Sequence, residues 1–122
     1  MDFSYYGIDH VQLAAPAGTE SIARKFFHGV LGMKEIDKPE SLKKRGGVWF
    51  QCGKNQIHIG IDNDFKPARK AHPAINVKNL DALKDKLISC GIKVKYDEQL
   101  PDSKRFYVDD PFGNRLEFIE RD

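Results

Sequence analysis

Three histidines and one glutamate have the residue types and strand positions of a metal-ligand set. They are His10, His58, His72 and Glu117. Each lies in a stretch where apolar and polar residues alternate, as His58 does between two isoleucines, and each falls on the polar side of that alternation. Neutral imidazole nitrogen and carboxylate oxygen suit zinc, nickel, cobalt, manganese or iron. The four residues therefore predict one divalent metal ion, whose identity their types leave open.

The same four residues occupy matched places in an internal repeat. The first ligand of each half is followed by a helix-ending glycine, Gly32 or Gly91, and the second ligand lies 26 residues after that glycine in both halves. A lone strand histidine is more often a hydrogen-bonded or half-exposed side chain than a ligand. Here three of four histidines share the predicted facing, and the fourth, His28, is interpreted as a surface residue on a helix.

Each half predicts a strand, a helix and three further strands, a βαβββ module. The predicted elements of the first half are a strand at 8–13, a helix capped by Thr19 with the stripe Ile22, Phe26 and Val30, a strand at 33–36, and a hairpin of 48–52 with 56–61. Those of the second half are a strand ending at 75–77, a helix capped by Asn79 with the stripe Leu80, Leu83 and Leu87, a strand at 92–96, and a hairpin of 105–109 with 115–119.

These elements predict one α+β domain over residues 1–122, with modules at 8–62 and 72–120 and a polar connector between them. A half of this size buries little apolar surface alone, so the two modules should pair. Each helix must cover the apolar face of its own sheet. The four ionisable residues then share the opposite face, where a curved sheet would bring them together.

Four segments of the chain resemble the vicinal oxygen chelate superfamily, the glyoxalase/bleomycin resistance protein/dioxygenase family. They are Ile8-Asp-His-Val11, Phe27-His-Gly-Val-Leu-Gly-Met33, Ala71-His72 and Asp109-Asp-Pro-Phe-Gly-Asn-Arg-Leu-Glu-Phe-Ile119. The resemblance implies two paired βαβββ modules forming a cupped eight-stranded mixed sheet with helices on the outside. It also implies ligands on the first, fourth, fifth and eighth strands, which are His10, His58, His72 and Glu117, and a homodimer.

The resemblance favours an enzyme in which the metal acts as a Lewis acid on two adjacent oxygens of a small substrate and stabilises oxyanion charge. Lyase, isomerase and thiol transferase reactions fit, the last with a thiol co-substrate. Glu117 is implied as the catalytic proton carrier as well as a ligand. The chain departs from glyoxalase I at His58, where that enzyme commonly has a carboxylate.

Two alternatives stay open. Ring-cleaving extradiol dioxygenases match His10, His72 and Glu117 but generally lack a ligand at the place of His58. Bleomycin-binding relatives sequester a drug without metal, and they generally lack the ligand set altogether. The presence of all four residues is the feature that distinguishes this chain from both groups.

Five further residues are candidates for contacting a substrate. Arg45 ends a basic run before two glycines, in a loop that can close over an anion. Trp49, Phe50 and Tyr107 lie on hairpin strands that line the cup in this family, although the residues alone do not show which aromatic rings face it. Arg115 shares the face of Glu117 and is the predicted neighbouring cation.

Composition excludes several other functions. The formal net charge of +2 gives no electrostatic reason to expect nucleic acid or a membrane as partner. No apolar run is long enough to span a bilayer, and the N-terminal residues lack the pattern of a secretory signal. Two cysteines, Cys52 and Cys90, form no disulfide framework. We therefore expect a cytoplasmic protein with reduced thiols that acts on small molecules.

Overall fold

A computed structural model describes residues 1–122, and its strands fall into two sheets. The first module comprises β1 (His10–Ala15), α1 (Glu20–Ala23) running into a π-helical segment (Arg24–Val30), β2 (Lys34–Ile36), a 3₁₀ helix (Glu40–Arg45), β3 (Val48–Cys52) and β4 (Asn55–Ile61). The second comprises β5 (Ala74–Asn76), α2 (Leu80–Ser89), β6 (Ser103–Asp109) and β7 (Arg115–Arg121).

The sheet of the first module has the strand order β1-β4-β3-β2, and that of the second has the order β5-β7-β6. In both, the first strand pairs in parallel with the last, and the hairpins are antiparallel. The α+β class is as predicted, with two mixed sheets. A continuous eight-stranded sheet is not observed, because the sheets of four and three strands do not pair with each other. The predicted strand at 92–96 makes only one bridge, between Lys95 and Tyr107.

The first helix departs from the predicted apolar stripe. Ile22 is 46% exposed, whereas Ala23, Phe26 and Phe27 are buried. The physical reason is that the helix turns Ala23 toward the core, and Ala23, Phe26 and Phe27 then form the buried stripe at i, i+3 and i+4. Thr19 precedes the helix without capping it, since its hydroxyl donates to the Pro16 carbonyl.

The second helix agrees with the prediction. The Asn79 side chain accepts a hydrogen bond from the Ala82 amide at 3.2 Å, as an N-cap does. Leu80 and Leu87 are buried. The Glu120 carboxylate on β7 accepts two further amide hydrogen bonds at the start of the helix, and these bonds lower the pKa of that carboxyl. This contact ties α2 to the strand that carries Glu117.

Buried apolar side chains from both modules form one core. Its members come from β1, β3 and β4 of the first sheet, from β6 and β7 of the second, and from both helical regions. The two modules therefore share the apolar side of their sheets, as their small size requires. No helix is both long and apolar enough to cross a membrane.

Candidate metal-binding site

His10 and His58 form a stacked pair on the polar face of the first sheet. In the parallel pairing of β1 with β4, Gln12 lies beside His58. His10, two residues before Gln12, is therefore the diagonal neighbour of His58 on the same face. The two imidazole rings lie 4.0 Å apart between centroids and 17° from parallel. Trp49 lies opposite His58 on β3, and its ring stacks on the imidazole at 3.8 Å. His58 is thus enclosed by two rings and is only 4% exposed.

This enclosure favours the neutral form of His58. Burial lowers the pKa of its imidazole, and the nearby charges of His10 and Lys38 act in the same direction. One ring nitrogen, Nε2, lies 2.9 Å from Oε1 of Gln56. His10 Nδ1 lies 2.7 Å from the Asp9 carboxylate. Neutral imidazole is the form that binds a metal, so burial prepares His58 for ligation.

His72 and Glu117 form a second pair on the polar face of the other sheet. His72 Nε2 lies 2.9 Å from Oε1 of Glu117, and His72 Nδ1 lies 2.7 Å from the Lys70 carbonyl oxygen. Both neighbours are hydrogen-bond acceptors. A neutral imidazole has only one N–H, so the second nitrogen would face an oxygen acceptor with no hydrogen between them. The contact is therefore completed by a proton carried by either group, and this is a position that a metal ion could take in place of that proton.

Arg105 and Tyr107 surround the Glu117 carboxylate. Arg105 Nη1 lies 3.5 Å from Oε2 of Glu117, and both side chains are largely buried. Tyr107 pairs with Glu117 across the hairpin, and its ring contacts His72 edge to face at 5.3 Å. The guanidinium of Arg115 lies 4.2 Å from the Tyr107 ring centroid. Arg105, which the sequence did not single out, is the cation that contacts Glu117, whereas Arg115 contacts the tyrosine.

The expected meeting of all four side chains within one chain does not occur. No group of three or more potential ligands comes together. The physical reason is the shared core: the apolar faces of both sheets contribute to it, so the polar faces point away from it. The strand parity inferred from the sequence is correct for each pair. The sequence leaves open whether the modules pair within a chain or between chains, and within this chain the two pairs stay apart.

The five residues predicted to contact a substrate lie in three different places in the structure. Arg45 and Trp49 line a cleft beside the histidine pair, and Tyr107 and Arg115 lie at the second pair. Phe50 lies in the core, fully buried and stacked against Phe27 at 5.4 Å. The expectation that Phe50 contacts a substrate is therefore corrected: it is on the face of β3 opposite Trp49, under the helix.

The residues present fit a divalent metal ion by their chemistry. One pair supplies two imidazoles, and the other supplies an imidazole and a carboxylate within 2.9 Å of each other. The Lys70 carbonyl fixes the orientation of the His72 ring, as an outer hydrogen bond to a ligating histidine commonly does. Each pair alone is half of a four-ligand set.

Comparison with known proteins identifies relatives over the whole chain. The sequence model of the Glyoxalase/Bleomycin resistance protein/Dioxygenase superfamily matches residues 7–118. A crystal structure of a glyoxalase family protein from Bacillus anthracis is 55% identical and superimposes with a TM-score of 0.96, covering 100% of both chains. A search of curated protein sequences gave no match.

Two more distant structures share the fold. Lactoylglutathione lyase from Agrobacterium tumefaciens is 21% identical with a TM-score of 0.74, covering 93% of this chain and 92% of that one. A mutant of the genomically encoded fosfomycin resistance protein FosX from Listeria monocytogenes is 16% identical with a TM-score of 0.79, covering 98% and 95%. That protein is in complex with Mn(II) and a dihydroxypropylphosphonic acid.

Proposed function

Because this chain belongs to the glyoxalase/bleomycin resistance protein/dioxygenase superfamily, we propose that it is a metal-dependent enzyme acting on adjacent oxygens of a small molecule. The reaction class is that of a lyase, isomerase or thiol transferase. The observation that carries the proposal is the placement of the imidazole of His72 beside the carboxylate of Glu117 on one sheet, together with the two stacked imidazoles of His10 and His58 on the other. The manganese in the distant Listeria structure makes Mn²⁺ the first ion to test.

A homodimer is part of the proposal, because two copies of the chain can bring together the two ligand pairs that lie apart in one copy. β1 and β5 are the outer strands of their sheets, and each has an unpaired edge. His10 is the first residue of β1, and His72 lies two residues before β5. If β1 of one copy lies beside β5 of a second, the histidine pair of one meets the His72–Glu117 pair of the other. Two equivalent sites then form around a twofold axis.

The residues of the chain divide the chemistry between them. The metal would be held by His10, His58, His72 and Glu117, and when bound it supplies Lewis-acid polarisation of the substrate oxygens. Glu117 holds a proton-accepting oxygen at the site, and Arg105 keeps its carboxylate in place through Oε2. Tyr107 covers the pair and limits the access of water to it.

Metal analysis tests the ligand set. Protein purified without chelator and then loaded with Mn²⁺ should retain about one ion per chain, and His10→Ala should lose most of it. His28→Ala is the matched control, because His28 is exposed on the first helix and should leave metal content unchanged. Sub-stoichiometric metal in the unmodified chain, unaltered by His10→Ala, would defeat the proposal and favour a metal-independent binding protein.

Mixing two defective chains tests whether the site is shared. His58→Ala damages one pair, and His72→Ala damages the other. A dimer containing one chain of each kind has one intact set of ligands if the site lies between chains, and none if it lies within a chain. Unfolding and refolding the two variants together should restore about a quarter of the full metal content. Absence of any recovery in confirmed mixed dimers would contradict the shared site.

A further inference from the structure

A small cleft adjoins the histidine pair through Trp49, whose indole both lines the cleft and stacks on His58. Its volume is about 260 Å³, and its polar side chains are Gln12, Lys38 and Arg45. The other lining residues are aliphatic or glycine, and none carries a carboxylate. The polar groups of the side chains in this cleft are therefore hydrogen-bond donors, apart from the Gln12 amide oxygen.

The charge of Lys38 helps to lower the pKa of the nearby Glu20 carboxyl, whereas Arg45 has no acidic neighbour of this kind. Neither Lys38 nor Arg45 forms an ion pair, and the only side-chain hydrogen bond of either is from Lys38 to the Gly46 carbonyl. Lys43, in the same basic run, is paired with Glu40 at 3.0 Å and Asp37 at 3.5 Å. Positive charge is thus neutralised at Lys43, partly balanced at Lys38 by Glu20, and left without an ion-pair partner at Arg45, which lines the cleft.

Gly60 leaves room for the third polar group. A Cβ at this position would lie 2.4 Å from Nε2 of Gln12, so the absence of a side chain lets the Gln12 amide lie along the strand. Gln12 pairs with His58 in the register of β1 and β4. The Gln12 amide is therefore held beside the candidate ligand His58 by the pairing of these two strands.

We propose that this cleft binds the anionic end of the substrate, a carboxylate, phosphate or phosphonate group, with Arg45 and Lys38 as its cationic contacts. The planar guanidinium of Arg45 can donate two parallel hydrogen bonds to such a group. The volume is below that of pockets for drug-sized ligands, so the substrate is small. The assignment rests on the proposed function in one respect, that the reacting oxygens lie at the neighbouring His10–His58 pair.

Trp49 makes the cleft measurable, because it is the only tryptophan of the chain. The full chain is treated with chelator and titrated at constant ionic strength with methylphosphonate, acetate and the neutral analogue acetamide. Trp49 emission and calorimetric heat are both followed. We expect a saturable response to the two anions and none to acetamide. Arg45→Gln should weaken anion binding about tenfold.

Lys44→Gln is the matched control, since it removes the same charge from the same run but does not line the cleft. It should change anion binding by less than about twofold. Equal weakening by Lys44→Gln and Arg45→Gln, or no response to anions in either emission or heat, would overturn the proposal. The metal analysis is independent of this titration. If the chain holds no metal but still binds anions through Arg45, the anion site is supported and the proposed function is contradicted. If the chain holds metal but binds no anion, the proposed function is supported and the anion site is contradicted.

Discussion

His58 shows how one residue can acquire its chemistry from its neighbours. The imidazole lies between the rings of His10 and Trp49, where little water reaches it. Removal of water disfavours the charged form, and the adjacent charge of His10 disfavours it further, so the pKa of His58 falls below its ordinary value of 6.5. The side chain is consequently neutral near pH 7, which is the state that ligates a metal.

A dependence of folding stability on pH follows for the metal-free chain. As pH falls below 6.5, the unfolded chain takes up a proton at position 58 before the folded chain does, so stability present above that pH is lost. His58→Gln should lose less stability between about pH 7.5 and about pH 5.5 than the unmodified chain. Urea unfolding at several pH values measures this difference.

The exposed histidine provides the control for that experiment. His28 lies on the first helix outside the core, so His28→Gln should retain the full pH dependence. The titration of carboxylates affects all three proteins alike and cancels from the comparison. Equal slopes for His58→Gln and the unmodified chain would show that burial of His58 is not linked to stability.

For single residues, the sequence predicts the face of the strand on which a side chain lies, but it does not predict which side chains on other strands contact it. Parity placed each candidate ligand on the polar face correctly, because alternation is local. It could not separate Trp49 from Phe50, since the pairing of Trp49 with His58 depends on the register of β3 and β4. Arg105 was missed for a similar reason: its contact with Glu117 exists only through the pairing of β6 with β7.

Gly46 and Gly47 lie in the chain between Arg45, which lines the cleft, and Trp49, which stacks on His58. Gly47 has a φ of 87°, a conformation that favours glycine, and a Cβ there would lie 2.2 Å from the Ile59 carbonyl oxygen on β4. Its amide donates to the Glu20 carboxylate at 2.9 Å. The loop can therefore lie against β4, with Arg45 before the glycines and Trp49 after them.

Gly47→Ala should destabilise the fold strongly, by about 3 kcal/mol or more, because backbone strain is added to an overlap with a backbone oxygen. Gly53→Ala is the matched control: Gly53 also has a positive φ, of 59°, but its Cβ would meet nothing within 4 Å. It should cost about 1–2 kcal/mol from strain alone. Urea unfolding gives both values, and equal losses would show that the close approach to Ile59 is tolerated.

Elements with local signals were predicted, and elements set by tertiary contacts were not. The first hairpin follows from the turn at Gly53 and the alternating isoleucines, and α2 follows from Asn79 and its leucine stripe. The π-helical turn after Ala23 has no marker in the residues, and the choice of Ala23 over Ile22 as the buried residue is made by packing against the core. The strand predicted at 92–96 reduces to one bridge between Lys95 and Tyr107.

For the whole molecule, the internal repeat predicts two modules without fixing how they pack. Burial of apolar surface is satisfied when the modules share one core, and that arrangement points the two polar faces away from the core. A packing in which the two polar faces lie toward each other would have been equally consistent with the hydrophobic pattern. The choice between them decides whether a metal site lies within a chain or between chains, so assembly and activity are linked in the proposed enzyme.

The N-terminal residues bear on that assembly. Phe3, Tyr5, Tyr6 and Ile8 precede β1 and are 81%, 90%, 102% and 66% exposed, a concentration of apolar surface beside an unpaired strand edge. An aromatic side chain buries about 150–250 Å² when covered, so three of them can provide a large part of the roughly 800 Å² per partner of a standard interface. We expect this arm to pack on the second copy.

Replacing Phe3, Tyr5 and Tyr6 together with serine should raise the dimer dissociation constant by about a hundredfold or more, measured by sedimentation equilibrium. The control replaces Ile88 and Tyr96, which are 57% and 63% exposed elsewhere on the surface, and should leave association unchanged. Metal retention should fall with dimer content in the arm variant, because each monomer keeps only half of the ligands. A monomeric variant that still held one ion per chain would place the site within the chain and contradict the shared arrangement.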